Sequence, residues 1–392
     1  MGFLGRPVRR FFIFFVLALV LTIPAAAEAY VGICCAKCGG NMPLNIPGGG
    51  VPATYELRVK LSPAFMRMEG MRGGTDSVNE NSLISGGMAS EFMAAPSYMD
   101  MRMMNMTVGY SYSDDIFLGA MFMWKENRMG MKFNQPMRNM TGREGYIMES
   151  GGMGDVMLMG KYRLYTDDPD IPKSQVSLFM GLSLPTGSTG EKNSNHPVVA
   201  RQRELLPYAM QLGTGTFDPS IGLLYEGSLS PWWWGANAIY TARVHDNSRD
   251  WRYGDEFRLD IYGMHQLTYN LVAGLQLNGK YRGRIDGEAD EARTGESGRR
   301  TSWDPTSGYM SPAWDPDNYG GKTVGVTAEL QWQPKPLHII ALSVGTPLYQ
   351  DLNGRQLEED YTVMLTWYIE IPTKKSKRYV NKKKKGSSRL GF

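Results

Sequence analysis

The stretch Tyr361-Thr362-Val363-Met364-Leu365-Thr366-Trp367-Tyr368-Ile369-Glu370-Ile371 alternates apolar and polar residues over its whole length. Successive side chains of a strand point to opposite faces. Val363, Leu365, Trp367, Ile369 and Ile371 therefore share one face, and Thr362, Met364, Thr366, Tyr368 and Glu370 the other. A segment of this length, greasy on one side and polar on the other, is the unit of a transmembrane β-barrel, whose outside meets lipid and whose inside meets water.

The same pattern recurs upstream, at 55–68, 99–112, 115–127, 153–167, 174–187, 215–228, 233–245, 255–268, 271–284, 321–333 and 338–349, with 361–371 as the last member. The expected fold is all-β: a transmembrane antiparallel β-barrel of about 12 strands, an even number as in bacterial single-chain barrels. Parity places Leu271, Ala273, Leu275 and Leu277 outward, with Gln276, Asn278, Lys280 and Arg282 inward. It likewise turns Val324, Val326, Ala328, Leu330 and Trp332 outward. Tyr110, Tyr112, Trp232 and Trp234 stand near strand ends, where an interfacial aromatic girdle belongs. Connections alternate in length: 113–114, 166–173, 230–231, 269–270 and 334–337 are short, whereas 69–98, 128–152, 188–214, 246–254, 285–320 and 350–360 are mostly long and polar. Short periplasmic turns and long extracellular loops are the expected topology.

The start of the chain sends it out of the cytoplasm. Arg6, Arg9 and Arg10 precede an apolar run from Phe11 to Ile23, followed by the small residues Ala25-Ala26-Ala27-Glu28-Ala29. This reads as a cleavable signal peptide over 1–29, too short in its apolar part for a membrane span. Residues 30–54 form a Cys- and Gly/Pro-rich periplasmic strap or plug, 55–371 the barrel, and 372–392 a periplasmic tail. The tail is basic, with nine lysines and arginines from Lys374 to Arg389, and would suit an anionic partner such as a periplasmic protein or lipid head groups. Cys34, Cys35 and Cys38 all lie in the strap. Gly39 stands where haem attachment needs histidine, and three cysteines alone fall short of a zinc site. A disulfide of Cys34 or Cys35 with Cys38 is expected in an oxidising compartment, leaving one thiol for a partner, a metal or a second copy.

Two runs, Gly151 to Tyr165 (GGMGDVMLMGKYRLY) and Ser177 to Ser188 (SLFMGLSLPTGS), with Phe217 to Gly227 (FDPSIGLLYEG), resemble a large family of outer-membrane barrels labelled as transporters or as meta-pathway phenol-degradation proteins. The resemblance covers roughly 55–371. It implies an outer-membrane barrel in a Gram-negative cell and passage of small, often apolar compounds. It supplies no catalytic residues, and the strap and the tail lie outside its pattern.

Methionine is the unusual feature: 20 of 27 fall between Met66 and Met159. Parity turns Met66 and Met68, Met101 and Met103, Met121 and Met123, and Met157 and Met159 into the lumen, one pair from each of four strands, all expected in the outward half. Flexible, polarizable thioethers suit an apolar solute surface, and they are also soft ligands suited to Cu(I). A barrel that binds a periplasmic partner for redox or copper handling is thus the alternative reading. Lumen charges are expected at Arg58, Lys60, Lys125, Lys161, Arg163, Arg243, Arg258, Lys280 and Arg282 against Glu56, Asp155, Glu226, Asp260, Glu329 and Glu370. This basic balance either selects anions in an open pore or is cancelled by pairing across the lumen. None of the four histidines has a recognisable serine partner motif, so no enzyme and no cofactor is expected, and nothing in the pattern calls for nucleic acid. The repeated Trp-Asp-Pro at 303–305 and 314–316 reads as turn-forming more readily than as a Ca²⁺ site.

Overall fold

The structure is a computed structural model and describes residues 42–47, 54–168 and 172–376. The signal peptide, Cys34, Cys35, Cys38 and the tail from 377 lie outside the described residues. Among the described residues no helix is long and apolar enough to cross a membrane, which says nothing of a barrel.

The chain forms β1 (Glu56–Gly74), β2 (Asp76–Val78), β3 (Ala94–Ser111), β4 (Ile116–Phe133), β5 (Gly145–Met153), β6 (Val156–Thr166), β7 (Ser174–Leu184), β8 (Asp218–Leu229), β9 (Trp232–Thr241), β10 (Trp251–Arg252), β11 (Glu256–Thr268), β12 (Leu271–Arg282), β13 (Asp286–Gly287), β14 (Gly321–Lys335) and β15 (His338–Pro372). Eleven of these close an antiparallel ring in the order β1-β3-β4-β6-β7-β8-β9-β11-β12-β14-β15, with β15 returning to β1. β2 and β5 pair with the ends of β1 and β4 outside the ring, and β10 with β13 forms a separate ribbon.

β15 is too long to be one passage. Thirty-five extended residues would reach roughly 115 Å, far beyond any bilayer. Its first arm pairs with β14 from His338 to Leu352, and its second with β1 from Leu352 to Pro372. The arms meet directly: Gln350 Nε2 donates to the Glu359 carbonyl at 3.0 Å, and Glu359 N donates to Gln350 Oε1 at 2.9 Å. Reversal falls at Gly354, whose φ of 57° suits glycine and where a Cβ would collide with Asn318 Oδ1. The chain thus crosses the ring twelve times through eleven continuous elements.

The connections sort to two ends. One carries 112–115, 167–173, 230–231, 269–270 and 336–337; the other carries 75–93, 134–144, 185–217, 242–255 and 283–320. Segment 350–360, expected as a loop, is strand and a tight reversal. Segment 128–152 is also largely not a loop: β4 continues to Phe133, a helix covers Gln135–Thr141, and β5 follows. β1, β3 and β4, at 18 or 19 residues, therefore stand taller at the long-loop end than β6 to β9, at 10 to 12.

Outward faces follow the expected parity. Leu118, Leu158, Ile221, Leu223, Ile261, Leu277, Leu330 and Leu365 are exposed on the ring's exterior. Trp232 and Tyr240 bound this band on β9, eight residues or roughly 27 Å apart along the strand, comparable to the ~25 Å apolar belt of such barrels. Phe257 and Tyr281 continue the row of Tyr240. At the other edge Trp232 packs against His265 with the rings tilted and their centres 4.1 Å apart, and Trp367 Nε1 donates to His338 Nδ1 at 3.3 Å. Above the belt the tall wall turns polar outside, with Arg67–Asp100 at 2.7 Å and Arg72–Glu358 at 2.6 Å.

Inside the tall wall the long loops fold into a cap. Leu83, Phe92, Leu206, Met210, Met310 and Trp314 from three loops pack on Met71, Met99, Met129, Met131, Phe133 and Met148 of the strands. Buried Arg201 fastens two loops together, donating to the carbonyls of Arg299 at 3.1 Å and Arg300 at 2.7 Å. Arg300 in turn donates to the Ser90 carbonyl at 2.7 Å. Asp304 and Asp315 accept from backbone N–H groups two residues on, at Thr306 and Asp317, so both Trp-Asp-Pro repeats build turns.

Candidate functional site: the barrel lumen

At the short-loop end the lumen is occupied by the chain's own N-terminal segment. Met42–Pro47, part of the strap that the sequence places at the barrel mouth, runs inside the ring. Alternation in Leu44-Asn45-Ile46 sets two apolar side chains among Trp233, Tyr262, Met264, Val272, Ile339, Ala341 and Tyr368. The backbone is held by the inward residues of β14 and β1. Leu44 N donates to both Glu329 oxygens, at 3.2 and 3.3 Å, and Lys60 Nζ donates to the Leu44 carbonyl at 2.9 Å. Gln331 Nε2 donates to the Met42 carbonyl at 2.7 Å, and Asn237 donates to that of Pro47. Asn45 and Gln276 exchange amide hydrogen bonds at 3.0 and 2.8 Å.

Between strap and cap lie two chambers in series. The inner, of about 250 Å³, has Asn45 and Ile46 of the strap in its wall together with Arg258, Asp260, Asn278, Thr327 and Met364. The outer, of about 410 Å³, is walled by Met66, Met68, Met99, Met101, Met103 and Met123 with Lys125 among them, and by Arg243, Lys280, Arg282 and Glu359. Loop residues Ala209, Gln211, Thr214, Tyr253 and Tyr319 complete its wall. Met66, Lys280, Thr323 and Glu359 border both chambers. Lys280 Nζ and Glu359 Oε1, 2.9 Å apart, thus form an ion pair at the neck between them.

Five of the eight methionines expected to face the lumen, Met66, Met68, Met101, Met103 and Met123, line the outer chamber; Met99 joins them. Met121 stands opposite Met157 on the row of Thr107 and Lys60, and lines neither chamber. Met157 and Met159 pack against Phe179, Leu224 and Ile239. They stand near the long-loop end of β6 but not on the outer chamber, so the four Met pairs do not form one surface.

The expected lumen charges are largely cancelled in place. Buried Arg58 lies 3.4 Å from Glu56 and 3.3 Å from Glu370. Buried Lys161 sits over the Phe117 ring within the field of Glu226, and Arg163 faces Asp115 at 3.9 Å. Arg282 and Arg258 both approach Glu256, the latter at 3.7 Å, and Arg243 pairs with Asp218. Pairing, the second of the two outcomes foreseen for these charges, prevails through most of the lumen.

The histidines play packing roles. His196, wholly buried in the cap, lies edge-on to Tyr146 and Phe133 and accepts from Val198 N through Nδ1 at 3.1 Å. Burial first, then the Arg201 charge, lowers its pKa to about 4. An unfolded histidine protonates near 6.5, so this residue's contribution to cap stability is complete above about pH 6.5 and fades as pH falls towards 4, by about 1.4 kcal/mol per unit. Hydrogen exchange of 185–217 should accelerate over that window; a His196→Gln chain that keeps the acceleration would refute the assignment.

No family model matches the chain, and no curated protein matches it by sequence. Solved structures do match. The class of fold is a closed antiparallel β-barrel, and in this chain the long loops fold into its bore. The COG4313 outer membrane channel from Pseudomonas putida F1 aligns with a TM-score of 0.53 at 13% identity, over 83% of this chain and 99% of that one. The NanC porin, at 0.37 and 10% identity over 80% and 100%, and the CymD monoaromatic hydrocarbon channel, at 0.35 and 7% over 82% and 90%, are too distant to weigh.

Proposed function

We propose that the protein is a passive outer-membrane channel for small molecules, hydrophobic ones among them. The observation that carries this reading is the pair of chambers in series along the bore, inside a ring whose exterior is an apolar belt with aromatic edges. The short connections then lie in the periplasm and the capped end faces outside. Export by a signal peptide over 1–29, placement in a Gram-negative outer membrane, and membership of the transporter-like barrel family that the sequence resembles all belong to the same proposal. Enzymatic action is not part of it.

Proteoliposomes test it. The full mature chain should admit small solutes faster than empty vesicles, and solute entry no faster than in protein-free controls would end the channel reading. The neck gives a finer test. Glu359→Gln removes the acid from the Lys280 pair and leaves a lysine at the constriction, so reversal potentials in a salt gradient should move towards anion preference; an unchanged reversal potential would show that the neck does not control ion passage.

The alternative of a barrel for periplasmic redox or copper handling would rest on the methionine sulfurs of the outer chamber, and titration of the purified chain with Cu(I) against a competing chelator tests it: no binding would remove it. An anionic partner for the basic tail remains a proposal, tested by co-purification with and without residues 377–392.

A further inference from the structure

The outer chamber is chemically mixed. Its lining holds six methionines, four cations and one acid, and one of the cations, Lys125, stands on the methionine strands themselves. Three of these cations are already answered: Arg243 by Asp218, Arg282 by Glu256 and Lys280 by Glu359. Lys125 is not. No group among the described residues accepts a hydrogen bond from its Nζ or forms an ion pair with it. Asp155, the acid that acts on it electrostatically, makes no ion pair with it, and its oxygens accept from neutral donors. Its Oδ1 accepts from Gly187 N at 2.8 Å, and its Oδ2 accepts from Thr214 N at 2.7 Å and Thr214 Oγ1 at 2.9 Å. Two amide oxygens of the chamber lining are also committed: Gln211 Oε1 accepts from Glu191 N at 2.9 Å and Gln350 Oε1 from Glu359 N at 2.9 Å.

Register explains how the lysine arrives there. On β4, Met123 and Lys125 share the inward face, and Lys125 stands directly across from Met103 of β3. A single ammonium is thus set into a methionine surface. A cation removed from bulk water with no ion pair of its own is costly, and an anionic guest relieves that cost in a way a neutral guest cannot. The wall around it rewards an apolar body, and ~300–1,000 Å³ is the usual range for small-molecule sites, which the chamber's 410 Å³ meets.

We propose that the outer chamber is a binding site for a small apolar monoanion, an aromatic or alkyl carboxylate, whose charge pairs with Lys125 and whose body lies on the methionine wall. One unpaired cation matches one negative charge, which selects a carboxylate over a dianionic phosphate ester. The inference rests on the channel reading and names its substrate class. Carboxylates of this kind are ionised at neutral pH, so the charge is present under the conditions of transport.

Equilibrium binding to the full mature chain in detergent, followed by calorimetry, tests the site with three probes: benzoate, its neutral counterpart benzamide, and acetate, which keeps the charge and lacks the apolar body. Benzoate should bind about tenfold or more tightly than either, each tenfold being about 1.4 kcal/mol. Lys125→Met, which keeps side-chain length and apolar contact, should bring benzoate and benzamide to parity, while Lys125→Arg should keep the preference. Heat-modifiable migration on gels confirms that each variant chain is folded. Undetectable benzoate binding, equal affinities in the natural chain, or a preference that survives Lys125→Met overturns the site. Flux separates the two readings: equal entry of benzoate and benzamide with equal binding removes the substrate class and leaves the channel, whereas selective binding without entry of either solute removes the channel and leaves the site.

Discussion

Deleting the strap, residues 30–53, is expected to raise single-channel conductance in planar bilayers several-fold over the full mature chain. Met42–Pro47 fill the lumen at the short-loop end, and the inner chamber touches them directly. The strap is held by contacts that nearly balance the cost of ordering it. Six hydrogen bonds at ~1 kcal/mol each and two buried apolar side chains at ~2 kcal/mol each contribute roughly 10 kcal/mol. Ordering six residues at ~1.5 kcal/mol each opposes this by roughly 9 kcal/mol. The balance lies near zero, as a displaceable stopper requires. Glu329 is the main anchor, receiving Leu44 N, Ser343 Oγ at 2.6 Å and Gln331 Nε2 at 2.6 Å. Glu329→Gln should therefore open the pore part of the way without removing any chain. Identical conductance in the deleted and full chains would show that the strap is not what closes the bore.

The second large effect concerns the cap. Phe133 is fully buried, stacked on Tyr146 with ring centres 5.2 Å apart and edge-on to His196 at 5.8 Å. Phe133→Ala is expected to destabilise the cap by about 3–5 kcal/mol, the usual cost of emptying a buried aromatic site. The loss should be local, because the cap joins the ring through loop packing while the ring is held by its own backbone ladder. Limited proteolysis should then cut within 185–217 or 283–320 while the barrel keeps its heat-modifiable migration. A cap that resists cleavage as well as the natural one does would contradict this account.

The barrel was legible because lipid imposes a rule on every strand. Outward residues at membrane depth must be apolar, so Val363 to Ile371 or Leu271 to Leu277 declare both strand and face without help from neighbours. That rule lapses where a strand leaves the membrane. In the upper part of β4, Glu126 and Arg128 face water outside while Met129 and Met131 are buried inside, so the lipid-facing signal vanishes and the segment resembles a loop. The same reversal hides the upper part of β15, where Gln356, Glu358 and Asp360 alternate with partners that only the fold supplies. The methionine surface was visible from parity in five of its six members; Met99 lay at the edge of the strand as read from sequence.

Sequence by itself determined the class of fold, the inward and outward faces at membrane depth, and the concentration of methionine and basic charge in the lumen. All of these follow from rules acting on residues one or two apart along a strand. Tertiary structure alone decided which charges cancel, since Lys280 and Glu359 are 79 residues apart and meet through ring closure. It alone decided that Lys125 is left unanswered and that Leu44 and Ile46, nearly 300 residues from Ile339 and Ala341, enter the bore beside them. Contacts of that separation arise only when a closed sheet brings distant inward faces around one lumen, and no local periodicity records them.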